Sequence, residues 1–365
     1  MKPYVSIYQG HVLTELAKLP ANHFHCIITS PPYWVGREYK GSQQASWEKE
    51  TDSPLGCEAS VGLYLNRIHE VCEEVRRVLK PNGVFYLNIG DTYQNGMLCG
   101  IPMRIAAEYA AASRLPFAPW SLAAMLPWLK RSTIPNGKGR PSCTVEYVLM
   151  LTRRNSRYYY DPMAVRCAST DGKSGSRLFR SSDLLRESLD SPHGLILNDQ
   201  SRPLLQDVNP AGQKQDHFAA FTPKLVASLI RLSTCQLGCC RKCGSPLRRV
   251  VDKVRFATRP GRKSKIEGKS SDETGHRDRL RHTTSMTTIG WKGACRHHAK
   301  TYDYQTTYIF RNLIPCRVLD PFCGIGVAGL EAIRAGCSFT GIDISKSYCR
   351  TAHRSIVSLR NRLYP

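Results

Sequence analysis

The chain of 365 residues carries 52 Lys and Arg against 29 Asp and Glu, a formal net charge of +23. That length suits one large or two modest domains, and 41% hydrophobic residues supply a real core, so whole-chain disorder is excluded. A basic excess of this size argues against a neutral metabolic enzyme and for a polyanionic partner, without naming it.

In chain order, the opening MKPYVSIYQG lacks the apolar core of a signal peptide. Cys26-Ile27-Ile28 reads as a buried strand running into the turn Thr29-Ser30-Pro31-Pro32. From Gly62 to Leu79 the apolar residues Leu65, Ile68, Val71, Cys72, Val75, Val78 and Leu79 form a helical stripe, which Lys80-Pro81-Asn82-Gly83 ends. Val84 to Ile89 follows as a strand, Ile101 to Ala112 as a helix. Leu115 to Leu129 is the most apolar stretch, too short to span a bilayer and holding Pro116, Pro119 and Pro127, so no membrane partner is expected. Val145 to Thr152 is again strand-like. Strand, helix and strand at this spacing predict a parallel α/β sheet with crossover helices.

Ala168 to Gln215 is rich in Ser, Asp, Gly, Arg and Pro, with weak periodicity. His217 to Leu232 reads as a helix that starts near Thr222-Pro223, where Thr can cap and Pro suits the first turn. Arg241 to Arg281 holds fourteen basic and five acidic residues, too polar for a core, with a short basic strand at Leu247 to Val251. The α/β pattern then resumes. Arg317 to Asp320 and Ser338 to Ile342 read as strands, Val327 to Ala335 as a helix, and a closing helix starts at Ser345.

Two turns carry chemistry. Asp320-Pro321-Phe322-Cys323-Gly324-Ile325-Gly326 lies between a strand and a helix, where glycines let the backbone turn sharply and present amide groups to a ligand. The next strand ends in Asp343, placed to hold a ribose diol. The D-P-F-x-G-x-G form points to S-adenosylmethionine rather than NAD. Asp320, Phe322, Gly324, Gly326 and Asp343 are therefore candidate cofactor-binding residues.

In Thr29-Ser30-Pro31-Pro32-Tyr33-Trp34, two prolines fix φ and remove amide donors, which holds local carbonyls outward as acceptors. Such a turn suits a planar ligand with an exocyclic NH2, the amine donating to the Ser30 hydroxyl and a proline carbonyl while Tyr33 stacks on the ring. The alternative is plain: Pro-Pro ending a strand and Tyr-Trp filling the core.

Together, the hexapeptide and the glycine loop resemble the amino-group DNA methyltransferases of restriction–modification systems and bacteriophages. The catalytic turn precedes the cofactor loop, which looks like the permuted order of the beta group. Further similar blocks are Arg77 to Gly83 followed by Leu87-Asn88-Ile89-Gly90-Asp91, Trp128-Leu129-Lys130 to Pro135, Val145-Glu146-Tyr147, and Tyr158-Tyr159-Tyr160-Asp161-Pro162. His217-Phe218-Ala219-Ala220-Phe221 resembles the helix start that packs on the methionine end of the cofactor, which makes Phe221 a further cofactor candidate. Two departures stand out: Gly10-His11 replaces a usual Gly-Asp, and Phe221-Thr222 a usual Phe-Pro.

The resemblance implies an α/β, Rossmann-like S-adenosylmethionine-dependent methyltransferase fold with permuted motif order. It implies catalytic residues Ser30, Pro31, Pro32 and Tyr33, which pull an exocyclic amine toward tetrahedral geometry for in-line attack on the methyl group, the base being flipped out of duplex DNA. Ser at position 30 favours the N4 amine of cytosine. Adenine N6, the same chemistry on RNA, or an inactive zinc-containing DNA-binding protein stay open as alternatives.

Most of the fifteen cysteines are scattered singly, which fits reduced thiols in a bacterial or phage-infected cytoplasm. Cys240 and Cys243 form a zinc-knuckle shape, with Cys295 and His297 as the second pair and Cys239 and His298 as spares. Structural Zn2+ there would brace a basic lobe. The predicted layout is residues 1–160 as the catalytic half, 161–216 as target-recognition region, 217–233 as cofactor-side helix, 234–300 as the basic Cys/His insert and 301–365 as the cofactor-binding half. Arg177, Arg180 and Arg186 could reach phosphates or guanine edges. Expected partners are double-stranded DNA, a second copy of the chain if it is a homodimer rather than a monomer, and a cognate restriction endonuclease acting separately.

Overall fold

The computed structural model describes residues 2–34, 54–111, 120–129, 145–154, 156–165, 196–197, 203–204, 222–257, 282–297, 301–302 and 312–365. Phe221, His298, Arg177, Arg180, Arg186 and nearly all of the expected recognition region lie outside them.

The sheet strands are β1 (Val5–Gln9), β2 (Phe24–Thr29), β3 (Leu79–Ile89), β4 (Trp120–Leu129) and β5 (Val145–Arg153). A hairpin of β6 (Arg248–Ala257) and β7 (His282–Lys292) lies apart, and β8 (Arg317–Asp320) and β9 (Ser338–Asp343) complete the sheet. The helices are α1 (Val12–Ala17), α2 (Val61–Val78), α3 (Ile101–Ala111), α4 (Pro223–Ser233), α5 (Val327–Arg334) and α6 (Lys346–Leu363). The seven-stranded order is β1-β9-β8-β2-β3-β5-β4. The five strands from β1 to β3 run parallel, whereas β5 runs antiparallel to both β3 and β4.

The all-parallel expectation is thus corrected at one edge. β4 and β5 follow each other without a described crossover helix, so they pair antiparallel. Pro127 in β4 is tolerated because the strand is at the edge, where one row of amides needs no partner. β3 also starts earlier than predicted. Leu79 is extended (φ −73°, ψ 135°) and joins α2 to the strand directly, and Lys80 to Gly83 form a register shift against β2 rather than a break.

Alternation through the buried strands divides the core. Cys26, Ile28, Val84, Tyr86, Val148, Met150 and Val318 face α4, α5 and α6; Phe24, Ile27, Phe85, Leu87, Leu149, Leu151 and Leu319 face α1, α2 and α3. α2 is fixed by its buried stripe and by the Ser60 side chain, which accepts from the Leu63 amide as N-cap. α4 begins with Pro223, as predicted, but the Thr222 side chain makes no capping hydrogen bond. The result is a three-layer, Rossmann-like α/β fold, which carries both predicted turns at the C-terminal ends of adjacent strands. Among the described residues no helix is long and apolar enough to cross a membrane.

Candidate active site

β2 and β8 are neighbours, with Ile27 opposite Leu319. The Thr29-to-Trp34 turn leaves the end of β2 and the Asp320-to-Gly326 loop leaves the end of β8. A buried bond latches them: Thr29 Oγ1 donates to Asp320 Oδ1 at 2.6 Å. Asp320 Oδ1 also accepts from the Phe322 amide at 3.0 Å. Asp320 is 4% exposed, so it is turned into the fold and braces the loop from below. Burial, reinforced by the charge of Asp343, raises its carboxyl pKa to about 7.

Asp343 holds the loop from the other side. Its Oδ2 accepts from the Gly324 amide and its Oδ1 from the Ser345 amide, both at 2.8 Å. Gly324 (φ +51°) has open space where a side chain would stand. Gly326 (φ +89°) is the N-cap of α5, and a Cβ there would lie 2.8 Å from Ile356 and 2.9 Å from Ala352. The loop therefore packs tightly below and is open above, as a backbone cradle for a nucleoside cofactor must be. Phe322 packs at the edge of the core beside it. The Gly10 amide donates to the Asp343 carbonyl at 3.0 Å, so the Gly10-His11 segment also reaches this loop.

The proline turn is held on three sides. The Tyr64 hydroxyl of α2 donates to the Pro32 carbonyl at 2.9 Å, and Trp34 Nε1 donates to the Glu58 carbonyl at 2.9 Å. Glu58 is itself fixed by a buried ion pair with Arg67 at 3.1 Å. Trp34, 1% exposed, is a core residue. Pro31 is buried, while Ser30, Pro32 and Tyr33 are half-buried.

The Tyr33 hydroxyl enters a cluster that the sequence reading left out of the site. Ser30 Oγ donates to Tyr33 Oη at 3.2 Å, and Tyr33 Oη donates to Glu146 Oε2 at 2.7 Å. Asn88 Nδ2 donates to Tyr33 Oη at 2.7 Å and to Glu146 Oε2 at 2.9 Å, with a longer contact of 3.3 Å to Ser30 Oγ. Asn88 and Glu146 lie on β3 and β5, and Asn88 stands opposite Val148, which makes Glu146 its diagonal neighbour on the same sheet face. Gly90 leaves room for the tyrosine ring, since a Cβ there would lie 2.7 Å from Tyr33 Cε2. Burial, then the Glu146 charge, push the Tyr33 phenol well above its ordinary pKa, so it stays protonated.

Residues 24–240 match a family model described as DNA methylase. The chain belongs to this DNA methylase family. Among the relatives of this methylase, the Type II methyltransferase M.Cfr9I of Citrobacter freundii is 31% identical over 259 residues, which cover 63% of the chain and 72% of the relative. M.XycI of Xanthomonas campestris pv. cyanopsidis is 28% identical over the same length and shares. Among solved structures, the cytosine-N4-specific PvuII DNA methyltransferase has a TM-score of 0.50 at 14% identity, over 99% of this chain and 95% of that one, a likeness of fold.

At the opposite end of β2 the methylase carries its thiols. Ligand atoms of Cys240, Cys243, Cys295 and His297 all lie within 4.8 Å of one another. The knuckle turn is closed by the Gly244 amide donating to the Cys240 carbonyl at 2.7 Å, and Gly244 has φ +70°. Three thiols and one imidazole, gathered on two turns, are a donor set that fits tetrahedral zinc. Cys239 is not part of it. It packs with Cys316 and His25, whose ring nitrogens are already engaged, Nδ1 by the Arg317 amide at 3.0 Å and Nε2 by the Gly244 carbonyl at 2.7 Å.

Proposed function

We propose that the methylase transfers a methyl group from S-adenosylmethionine to the N4 amine of a cytosine flipped out of duplex DNA. The observation that carries this reading is the Thr29–Asp320 latch, which seats an amine-accepting turn beside an open glycine cradle on adjacent strands. Gly324, Gly326 and Phe322, with the free lone pairs of Asp343, would hold the cofactor, and Phe221 would flank it. When bound, S-adenosylmethionine supplies an electrophilic methyl group on a sulfonium. Ser30 and the Pro31 carbonyl accept hydrogen bonds from the target amine and draw its lone pair out of the ring, and Tyr33 stacks on the base.

The neutral hydroxyl at position 30 favours the cytosine edge. Digestion of DNA methylated by the purified protein should yield N4-methyl-2′-deoxycytidine as the modified nucleoside by mass; N6-methyl-2′-deoxyadenosine would replace the cytosine reading with adenine, and no methylated nucleoside would end the methyl-transfer reading. The Type II names of the relatives support a place beside a separately acting endonuclease. Structural zinc on Cys240, Cys243, Cys295 and His297 would seat the hairpin lobe, and residues 161–216 would read the target sequence.

A further inference from the structure

The Ser30–Tyr33–Glu146 chain has a fixed direction. A carboxylate only accepts, so Tyr33 Oη must donate to Glu146 at 2.7 Å; with its one proton spent there, Tyr33 accepts from Ser30 Oγ at 3.2 Å. The Ser30 proton therefore points at Tyr33 Oη, which leaves an oxygen lone pair for an incoming amine. Asn88 enforces the same order. Its amide nitrogen faces Glu146 Oε2 at 2.9 Å, an arrangement that flipping would turn into oxygen against oxygen. Held this way, Asn88 Oδ1 is buried with no hydrogen-bond partner among the described residues, an unfavourable arrangement that the fold accepts to keep Nδ2 in the cluster.

An exocyclic amine that has gained a methyl group carries an extra proton, which a closed site must remove. We propose that Glu146 is the proton sink of this reaction, reached from the target amine through the hydroxyls of Ser30 and Tyr33. In the step, the amine N–H bond breaks as Ser30 Oγ takes the proton. The Ser30 proton passes to Tyr33 Oη, and the Tyr33 proton to Glu146 Oε2. The amine, both hydroxyls and the base end neutral, and Glu146 ends as a carboxylic acid that releases its proton to water after the product leaves. This inference rests on the amine-methylation reading above. Ser30 and Tyr33 touch the base; Glu146 and Asn88 act through them.

The Tyr33 phenol is a titratable group in direct contact with Glu146, with Tyr64 of α2 behind it. Asn88 and Gly90 from the β3 end and Trp128, opposite in β4, face Glu146 without charge.

The test is single-turnover methyl transfer measured from pH 6 to 9 for wild type, Glu146→Gln and Tyr33→Phe, with S-adenosylmethionine affinity by calorimetry as the control for folding. Glu146→Gln keeps size and hydrogen bonding but takes no proton. It should lose about 10²-fold at neutral pH and recover tenfold per pH unit as hydroxide replaces the sink, with cofactor affinity unchanged. Tyr33→Phe keeps the stacking ring and should show the same slope. A uniform loss with the wild-type pH profile would make Glu146 a packing residue and overturn the relay, as would full activity in either variant. A wild-type protein that methylates no base would instead refute the underlying methyl-transfer reading, and with it the relay.

Discussion

Asp320 illustrates how one buried carboxyl can serve geometry at the expense of charge. Folding favours its protonated form, because its pKa rises to about 7 in the fold. The stabilisation it gives is therefore full below its ordinary value of 3.8 and is lost as pH rises through about 7. Asp320→Asn keeps an acceptor for Thr29 and Phe322 without the charge. It should gain stability over wild type in urea, by roughly 2–3 kcal/mol more at pH 8 than at pH 5. An equal gain at both pH values would mean the carboxyl is not titrating in that window. The site residues differ in how openly the sequence displays them. Ser30 to Tyr33 and Gly324 to Gly326 are legible because proline fixes φ covalently and glycine permits the positive φ a sharp turn needs, whatever packs around them. Asn88 and Glu146 are not. Each shares its strand with other polar residues, Lys80 and Asn82 in β3, Thr152 and Arg153 in β5, and their meeting depends on the antiparallel register of the two strands, which no local pattern encodes.

At the scale of elements, the two ends of β2 do different jobs. Thr29 at one end joins the proline turn to the glycine loop, whereas His25 near the other donates to the Gly244 carbonyl of the knuckle turn. They are four positions apart, about 13 Å of strand, so the thiol cluster stands away from the two turns. The hairpin is bolted to the fold independently: Arg249 pairs with both oxygens of Asp161 at 3.0–3.1 Å and lies over the Trp291 ring at 4.4 Å. If zinc closes the cluster, metal analysis should find about one ion per chain. Removing it with a chelator should raise hydrogen exchange at residues 239–250 and 288–297 while β3 stays protected. Unchanged exchange, or a metal-free protein with reduced thiols, would leave the knuckle an ordinary turn. The helices from α2 onward and the strands β2, β3, β5, β8 and β9 were legible from periodicity; β1 and the short α1 were not read, nor was β4, since three prolines in and before an apolar run mask a strand that only edge placement permits.

For the whole molecule, the excess of +23 matters through its partner. If six or more phosphates are neutralised, raising salt from 50 to 200 mM should weaken DNA binding by about 10³-fold. A change under tenfold would place the charge away from the DNA. The order of the sheet also has a consequence for biogenesis. Cys26 pairs with Val318, 292 positions later, so the strand bearing the proline turn keeps an open flank until the last stretch of chain is made. At ribosomal speeds of about 5–20 residues per second, that flank stays unpaired for roughly 15–60 s. An apolar strand open for so long is a natural client for a chaperone, and it makes the growing polypeptide, more than the finished one, the form most exposed to aggregation.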